Sequence, residues 1–269
     1  MSEFSYKNGL LHVEEVPLTE IAGQFGTPCY VYSRKAVETR WLEFDRALNS
    51  QKHLVCYAVK ANSNIGLLNI LVKLGSGFDI VSIGELERVL HAGGRPDKIV
   101  FSGVGKRKDE MRAALHKGIK CFNVESVNEL IRLNEVAKKM DVNAPVSLRV
   151  NPDVDAKTHP YISTGLKDNK FGIAFQNAIA AYELALGLPN IIIKGVDFHI
   201  GSQITTLEPF KDALLKVLEL IEQLKRSDIT FMHIDLGGGL GINYQGEEPP
   251  TRNEYIEAII STINNKDFE

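Results

Sequence analysis

Short apolar segments alternate with longer amphipathic segments along most of the chain. A strand with one face in water has a polar residue at every second position, and these apolar segments do not. Their continuous apolar sequence is typical of parallel strands that helices cover on both faces. Seven such strands are predicted, at residues 54–60, 78–82, 99–103, 121–125, 146–150, 195–200 and 232–236. The segments that follow them predict helices at 65–74, 83–92, 108–117, 127–140, 178–186 and 209–225. This alternation implies a parallel sheet with right-handed crossovers.

The two ends of the chain have different patterns. The first 33 residues predict an arm, with a turn at 7–9, a strand at 10–16, a helix at 18–25 and a strand at 29–32. Ser33 then caps a helix that runs to about residue 48. Near the other end, one more helix is predicted at 255–263. We therefore divide the chain into an N-terminal arm, 1–33, and a strand–helix domain, 34–269.

Polar residues end nearly every predicted strand. They are Lys60, Asp79 with Ser82, Ser102, Asn123 with Glu125, Arg149, His199 with Ser202, and Asp235. An open doubly wound sheet would gather its ligand groups at one switch point, whereas a barrel carries them at the ends of many strands. The predicted fold is therefore an α/β TIM barrel of the (β/α)8 type. Because seven strands are predicted, we expect a barrel truncated before its eighth strand.

Composition narrows the range of functions. The 269 residues have a formal net charge of −3, with basic and acidic residues intermixed, so nucleic acid is not an expected partner. No signal sequence and no apolar stretch long enough to span a membrane is present, so a membrane location is not expected. Cys29, Cys56 and Cys121 follow no pairing motif, and we interpret them as reduced core residues of a cytoplasmic protein.

Lys60 ends an apolar predicted strand, and two interpretations of it stay open. A lysine held at the end of a buried strand can lose its proton and condense with a carbonyl compound to form a Schiff base. Alternatively, it is a solvated lysine that marks the exit of the strand.

A glycine cluster, Gly237, Gly238 and Gly239, follows the last predicted strand. Consecutive glycines let backbone N–H groups approach an anion without interference from Cβ atoms, which favours a phosphate site over a structural turn. The dinucleotide fingerprint fails because Ile242 occupies the place of its third glycine. The Walker A pattern also fails, since Arg107 follows Lys106.

His199 and Ser202 lie at the end of the preceding predicted strand. The imidazole is able to stack on a flat heterocycle and the hydroxyl to donate to a phosphate. The alternative for His199 is an ordinary buried histidine of the core. The other six histidines have no metal-ligand spacing, so no metal site is expected. The long loop 151–172 is rich in aromatic and β-branched residues, and we interpret it as a substrate-side loop.

A lysine, a phosphate cradle, a stacking histidine and carboxylates together favour pyridoxal 5'-phosphate as the cofactor. Segments 57–62, 77–85, 199–202 and 235–239 resemble the barrel-type pyridoxal-phosphate decarboxylases of the alanine-racemase fold group. Within that group, segments 151–153, 159–165 and 170–172 resemble the diaminopimelate decarboxylase family.

The resemblance implies specific roles for the predicted site residues. Lys60 would carry the cofactor covalently, and His199 would stack on its ring. Ser202 with Gly237, Gly238 and Gly239 would hold the phosphate. The resemblance also places three charged residues around the lysine and the ring: Asp79, Glu85 and Arg149.

The reaction implied is decarboxylation of meso-2,6-diaminopimelate to L-lysine, the last step of lysine biosynthesis, by a homodimer. The family's glutamate on strand eight and its C-terminal β-domain have no counterpart in these 269 residues. We therefore expect an N-terminal fragment, inactive by itself, whose arm belongs with that β-domain. Ornithine or arginine decarboxylases, alanine racemase and a non-catalytic pyridoxal-phosphate-binding protein remain alternatives.

Overall fold

The N-terminal arm is a small antiparallel sheet followed by a helix. A computed structural model of the chain describes residues 3–155, 171–244 and 246–264. Strand β1 (Phe4–Lys7) pairs with β2 (Leu10–Val13), β2 pairs with β3 (Val16–Pro17), and helix α1 (Leu18–Phe25) follows. The single strand expected at 10–16 is interrupted, because Glu14 adopts a φ of 55° and turns the chain back on itself.

The strand expected at 29–32 does not form, and the segment has no regular structure. Cys29 is exposed there, so its assignment to the core was wrong. The arm also leaves aromatic side chains in water, since Tyr6 is 75% and Tyr30 is 90% exposed. Helix α1 buries none of its residues. The arm therefore contributes little to the core of the described structure.

All seven predicted parallel strands form, and they lie side by side in one sheet. Their bounds are β4 (Cys56–Ala58), β5 (Gly77–Ile80), β6 (Ile99–Phe101), β7 (Cys121–Val124), β8 (Ala144–Asn151), β10 (Ile191–Asp197) and β11 (His233–Asp235), and the two-residue β9 (Ile173–Ala174) pairs with β8 beside them. The order across the sheet is β4-β5-β6-β7-β8-β10-β11, and every pairing is parallel.

Helices follow the strands as the sequence predicted. Their bounds are α2 (Arg34–Ala47), α3 (Ile65–Leu74), α4 (Ile83–His91), α5 (Lys108–Lys117), α6 (Val127–Met140), α7 (Phe175–Gly187), α8 (Glu208–Lys225) and α9 (Arg252–Asn264). Side-chain caps explain several starts: Ser33, Asn64, Ser82 and Ser126 each accept a backbone N–H of the first turn. Within the described ranges, no helix has the length and apolar character needed to cross a membrane.

The sheet curls into a partial barrel with its main core between strands and helices. Large side chains from successive strands are fully buried, among them Phe78, Phe101 and Phe122. The outer layer joins the two ends of the sheet, since Tyr255 of α9 packs edge-on against Phe44 of α2 and Phe210 of α8, with ring centroids 6.5 and 4.8 Å away. The described residues therefore form a partial barrel of seven parallel strands, in agreement with the predicted fold class.

Candidate active site

Polar side chains from the strand ends meet inside the curled sheet. Asn123 of β7 donates from Nδ2 to Oγ of Ser102 (3.1 Å) and to Oδ2 of Asp235 (3.0 Å). Strands β8 and β10 lie between β7 and β11, so this second hydrogen bond crosses the interior. The predicted convergence of strand-end residues is therefore confirmed for these three side chains.

Asp79 lies within the same polar interior, on β5. Burial raises the pKa of its carboxyl to about 6, and the nearby Asp235 acts in the same direction, while a hydrogen bond from Ser102 and the charge of Lys60 oppose the shift. Its Oδ1 is buried and has no hydrogen-bond partner among the described residues. Asp79 therefore has one acceptor oxygen at the site that no described residue uses.

Two carboxylates hold Arg149 on the other side of the interior. Its Nη1 lies 2.8 Å from Oε1 of Glu125, and its Nε lies 3.9 Å from Oδ2 of Asp197. Asp197 is 4% exposed, and burial raises the pKa of its carboxyl well above the ordinary value, with Asp235 adding to the shift and Arg149 opposing it. The guanidinium is thus a fixed cation in an otherwise acidic interior.

Lys60 lies past the end of its strand and is exposed, as in the second of the two interpretations of the sequence. Strand β4 ends at Ala58, and residues Val59–Ala61 form a 3-10 turn that Asn62 closes with a hydrogen bond to the Val59 carbonyl. The turn lifts Lys60 off the end of the strand, so its side chain is exposed instead of buried. The ammonium remains close enough to lower the pKa of Asp79, and it is accessible to a carbonyl compound.

The glycine cluster packs tightly against the segment after β10. Gly237 and Gly239 have φ values of 62° and 115°. A Cβ at Gly237 would collide with the Phe198 carbonyl, and one at Gly239 with the Gly201 carbonyl. At Gly238, by contrast, a Cβ would meet nothing within 4 Å. The cluster therefore has two positions that the fold restricts to glycine and one, Gly238, that faces open space.

His199 is joined to this cluster in a neutral form. The expected strand 195–200 ends at Asp197, so His199 lies two residues past its end. Its Nδ1 accepts the backbone N–H of Gly238 at 3.2 Å, which requires that the ring proton be on Nε2. Burial lowers the pKa of the imidazole to about 4, and the charges of Arg149 and Lys60 act in the same direction. A neutral, largely buried ring is suited to stacking on a flat heterocycle.

The other predicted phosphate ligands differ in how available they are. Ser202 is exposed, so its hydroxyl is accessible. The N–H of Gly237 already donates to Oδ1 of Asp235 at 2.9 Å, and that of Gly238 donates to Nδ1 of His199 at 3.2 Å. Gly237 therefore shapes the turn, and Gly238 would bind a phosphate only by giving up its hydrogen bond to His199. The phosphate-binding roles of Ser202, Gly238 and Gly239 stay predictions.

Glu85 has a local partner in the fold. Its Oε2 accepts the backbone N–H of Val81 at 2.7 Å, and its own N–H donates to the Ser82 hydroxyl that caps α4. This arrangement resembles a capping box, in which the carboxylate has a partner within the fold and needs no ligand. Its predicted role beside the lysine stays a prediction.

The predicted substrate-side loop lies mostly outside the described residues, which omit 156–170. The part that follows is attached to the site, because the N–H of Gly172 donates to Oε2 of Glu125 at 3.1 Å. The Phe171 ring lies 5.2 Å from the Arg149 guanidinium. The loop therefore returns to the barrel directly at Arg149.

Three site residues were not predicted. Asp197 was marked by a signal, an acidic residue within an apolar strand segment. Lys106 and Glu129 are buried charged residues that flank Glu125, and nothing in their local sequence distinguished them from surface charges.

The fold and site together define a class of protein: a parallel strand–helix barrel that holds a pyridoxal cofactor at its strand ends. The residues present fit that group. They provide a lysine in reach of solvent, a neutral imidazole, a glycine turn open at Gly238 and a buried acceptor on Asp79.

The chain belongs to the pyridoxal-dependent decarboxylase family, whose pyridoxal-binding domain it matches over residues 34–268. It is 58% identical to the diaminopimelate decarboxylase of Vibrio cholerae over 271 aligned positions, covering 100% of this chain and 65% of the relative. It is likewise 58% identical to the Pseudomonas aeruginosa enzyme of that name over 268 positions, with 100% and 65% covered. The chain therefore spans somewhat less than two thirds of the length of these relatives.

Solved structures give the same assignment. The Helicobacter pylori diaminopimelate decarboxylase, complexed with L-lysine, superposes with a TM-score of 0.90 at 41% identity, covering 93% of this chain and 64% of the other. The M. jannaschii enzyme, in co-complex with L-lysine, gives 0.91 at 38% identity, covering 97% and 62%. A lysine/ornithine decarboxylase from Vibrio vulnificus gives 0.76 at 24% identity and shares the fold.

Proposed function

We propose that the protein removes one carboxyl group of meso-diaminopimelate as CO2 and forms L-lysine. The observation that carries this proposal is the 58% identity to diaminopimelate decarboxylases along the entire chain. The two superposed structures of that name are complexes with L-lysine, which is the product of this reaction.

Pyridoxal phosphate, when bound, supplies an electron-withdrawing ring that accepts the electron pair left behind by the departing CO2. Lys60 would hold the cofactor covalently and is suited to exchange a proton with the substrate carbon. His199 would lie against the ring, and its neutral state keeps a second cation away from the ring face. Asp79 and Arg149 place one acidic and one cationic group in the same interior.

The phosphate would be held by the glycine turn and Ser202. Gly238 and Gly239 belong to the turn that Asp235 holds through Gly237, and the backbone at Gly237 and Gly239 packs closely against the segment after β10. A rigid set of donors binds an anion at a smaller entropic cost than a mobile loop does.

A substrate panel tests the proposal. CO2 release is measured from meso-diaminopimelate, L-ornithine, L-arginine and L-lysine at saturating pyridoxal phosphate. We expect kcat/KM to be highest for meso-diaminopimelate, by at least about 100-fold, since a site that pairs with its second carboxylate discriminates strongly against ornithine, arginine and lysine, which lack that group. A preference for ornithine or arginine would support the alternative decarboxylases, and cofactor binding without CO2 release would indicate a non-catalytic pyridoxal-phosphate-binding protein.

The proposal extends to a cytoplasmic homodimer that binds a small-molecule substrate and no nucleic acid. The net charge of −3 supports the absence of nucleic acid, and three free cysteines, one of them exposed, support a reducing compartment. The dimer is proposed from the resemblance to the family alone. Light scattering after size exclusion tests the dimer, and a monomeric mass at assay concentration would contradict it.

A further inference from the structure

Lys106 and Glu129 form a charged pair that is almost entirely buried next to Glu125. The Lys106 side chain is 0% exposed and that of Glu129 is 5% exposed, and Nζ of Lys106 lies 2.8 Å from Oε1 of Glu129. Lys106 belongs to the loop after β6, and Glu129 lies in the first turn of α6. The pair therefore connects two successive strand–helix units.

Lys106 also binds the backbone of two neighbouring segments. Its ammonium donates to the carbonyl of Gly103 at 2.6 Å and to the carbonyl of Asn123 at 2.7 Å. The ammonium thus makes two hydrogen bonds to backbone carbonyls besides its ion pair with Glu129. The loop after β6 and the end of β7 are thus held together through a single side chain.

Glu129 connects Lys106 to Glu125. Its second oxygen, Oε2, accepts the backbone N–H of Glu125 at 3.0 Å. The Glu125 carboxylate in turn accepts the N–H of Gly103 at 3.2 Å and pairs with Arg149 at 2.8 Å. Both the backbone and the side chain of Glu125 are therefore fixed relative to Lys106.

The energetic balance favours a positioning role over a stabilising one. Taking two charges out of water costs about as much as their attraction returns, so a buried pair adds little net stability. Burial raises the pKa of the Glu129 carboxyl even with the Lys106 ammonium beside it, which reflects that cost. Removal of one partner nevertheless leaves an unpaired buried charge and shifts its surroundings.

We propose that Lys106 and Glu129 are positioning residues that hold Glu125, and through it Arg149, in place at the cofactor site. This inference rests on cofactor binding in the proposed function. It does not require that meso-diaminopimelate be the substrate.

The test is a double-mutant cycle between Glu129→Gln and Arg149→Lys, read out as the Kd for pyridoxal phosphate in a spectroscopic titration of cofactor-free protein. The amide of Glu129→Gln keeps the side-chain shape and can still accept from Glu125. We expect Glu129→Gln to raise the Kd by about tenfold in the wild type and by less than about twofold in the Arg149→Lys background, because residues of one network are not additive. Lys106→Met should show the same pattern.

Two measurements separate positioning from a loss of folding. Thermal unfolding defines a temperature at which every variant is folded, and the titrations are made there. Glu43→Gln is the matched control, since it breaks the 2.8 Å pair with Arg252 between α2 and α9 in the outer layer, and it should leave the Kd unchanged within about twofold.

Equal increases in Kd in both backgrounds, or a lower Tm with an unchanged Kd, would overturn the proposal. A wild-type protein that binds no pyridoxal phosphate would overturn it together with the proposed function. Coupling between positions 129 and 149 without CO2 release from meso-diaminopimelate would leave it standing and reject only the substrate.

Discussion

Asn123 and Asp235 are joined across the interior of the curled sheet by a 3.0 Å hydrogen bond, although two strands lie between theirs. Asp235 uses its other oxygen to hold the N–H of Gly237 at 2.9 Å. One carboxylate therefore connects the middle of the sheet with the glycine turn.

This relationship predicts that Asn123→Ala destabilises the protein. The variant removes a buried donor to a charged acceptor, which costs about 1.5–3 kcal/mol. Urea unfolding at pH 7 measures the change. Asn243→Ala is the control, because it removes two hydrogen bonds in an exposed loop and should cost less than about 0.5 kcal/mol. Equal losses of stability in the two variants would mean that the hydrogen bond between Asn123 and Asp235 contributes no more than one in an exposed loop.

Cofactor attachment is predicted at Lys60. Reduction of the loaded protein with borohydride should fix the cofactor on the peptide that contains Lys60, because this lysine is exposed beside the site. Peptide mass spectrometry locates the label. Lys106 is an internal control, since its three partners and full burial make it unreactive. A label on Lys106 and none on Lys60 would reject the assignment.

The glycine turn gives a prediction with a matched pair. Gly238→Asp adds a carboxylate where a Cβ meets nothing within 4 Å, so we expect an unchanged Tm and a Kd for pyridoxal phosphate raised by at least about tenfold through charge repulsion. Gly239→Asp should also expel the cofactor, but with a lower Tm, because its Cβ collides with the Gly201 carbonyl.

Ser202→Ala should weaken cofactor binding by about 1–3 kcal/mol, the range for a lost hydrogen bond to a charged group. The same titration of cofactor-free protein measures it. Unchanged affinity in Gly238→Asp and Ser202→Ala together would place the phosphate elsewhere.

His199 and Asp79 predict opposite effects of pH on stability. The pKa of His199 is lowered from 6.5 to about 4, so between these values the unfolded state binds a proton that the folded state does not, and stability falls as the pH falls. The pKa of Asp79 is raised from 3.8 to about 6, so in its window the folded state binds the extra proton, and stability is lost as the pH rises.

Variants separate these two contributions. His199→Gln should reduce the loss of stability between pH 7 and pH 4, by on the order of 2–3 kcal/mol from the size of the shift. Asp79→Asn should make the loss on acidification steeper. Urea unfolding of the cofactor-free wild type and variants at several pH values gives the free energy of unfolding against pH. Profiles of both variants that run parallel to that of the wild type would contradict the two burial effects.

The sequence predicted the helices better than the strand ends. Helices α3, α5 and α6 begin and end at the predicted residues, since local signals such as Asn64, Ser126 and Gly118 define their ends. The predicted strands included Lys60 and His199, but β4 and β10 both end before these residues. The end of a strand depends on its hydrogen bonds to the neighbouring strand, which the local sequence does not show.

Buried charges were the least predictable part of the site. Lys106 is buried only because Glu129 and two carbonyl groups, distant in sequence, surround it. Asp197 stands out in the sequence as an acidic residue within an apolar strand segment, but its pairing with Arg149 does not. Partners of this kind follow from the tertiary fold and leave no local pattern.

A polypeptide consisting of residues 1–269 alone is predicted not to decarboxylate meso-diaminopimelate. In the described residues β4 and β11 each pair on one side, so the sheet has two open edges, which favour aggregation or non-native pairing. The resemblance assigns to an eighth strand the carboxylate that keeps the cofactor ring protonated, and without it the ring is a weaker acceptor of electrons. Lys60, His199 and the glycine turn are present, so pyridoxal phosphate binding is expected to survive where catalysis does not. The measurement is CO2 release at saturating pyridoxal phosphate, with the full-length Vibrio cholerae relative, of which this chain covers 65%, as the active comparator. Comparable rates would show that everything the reaction needs lies within these residues.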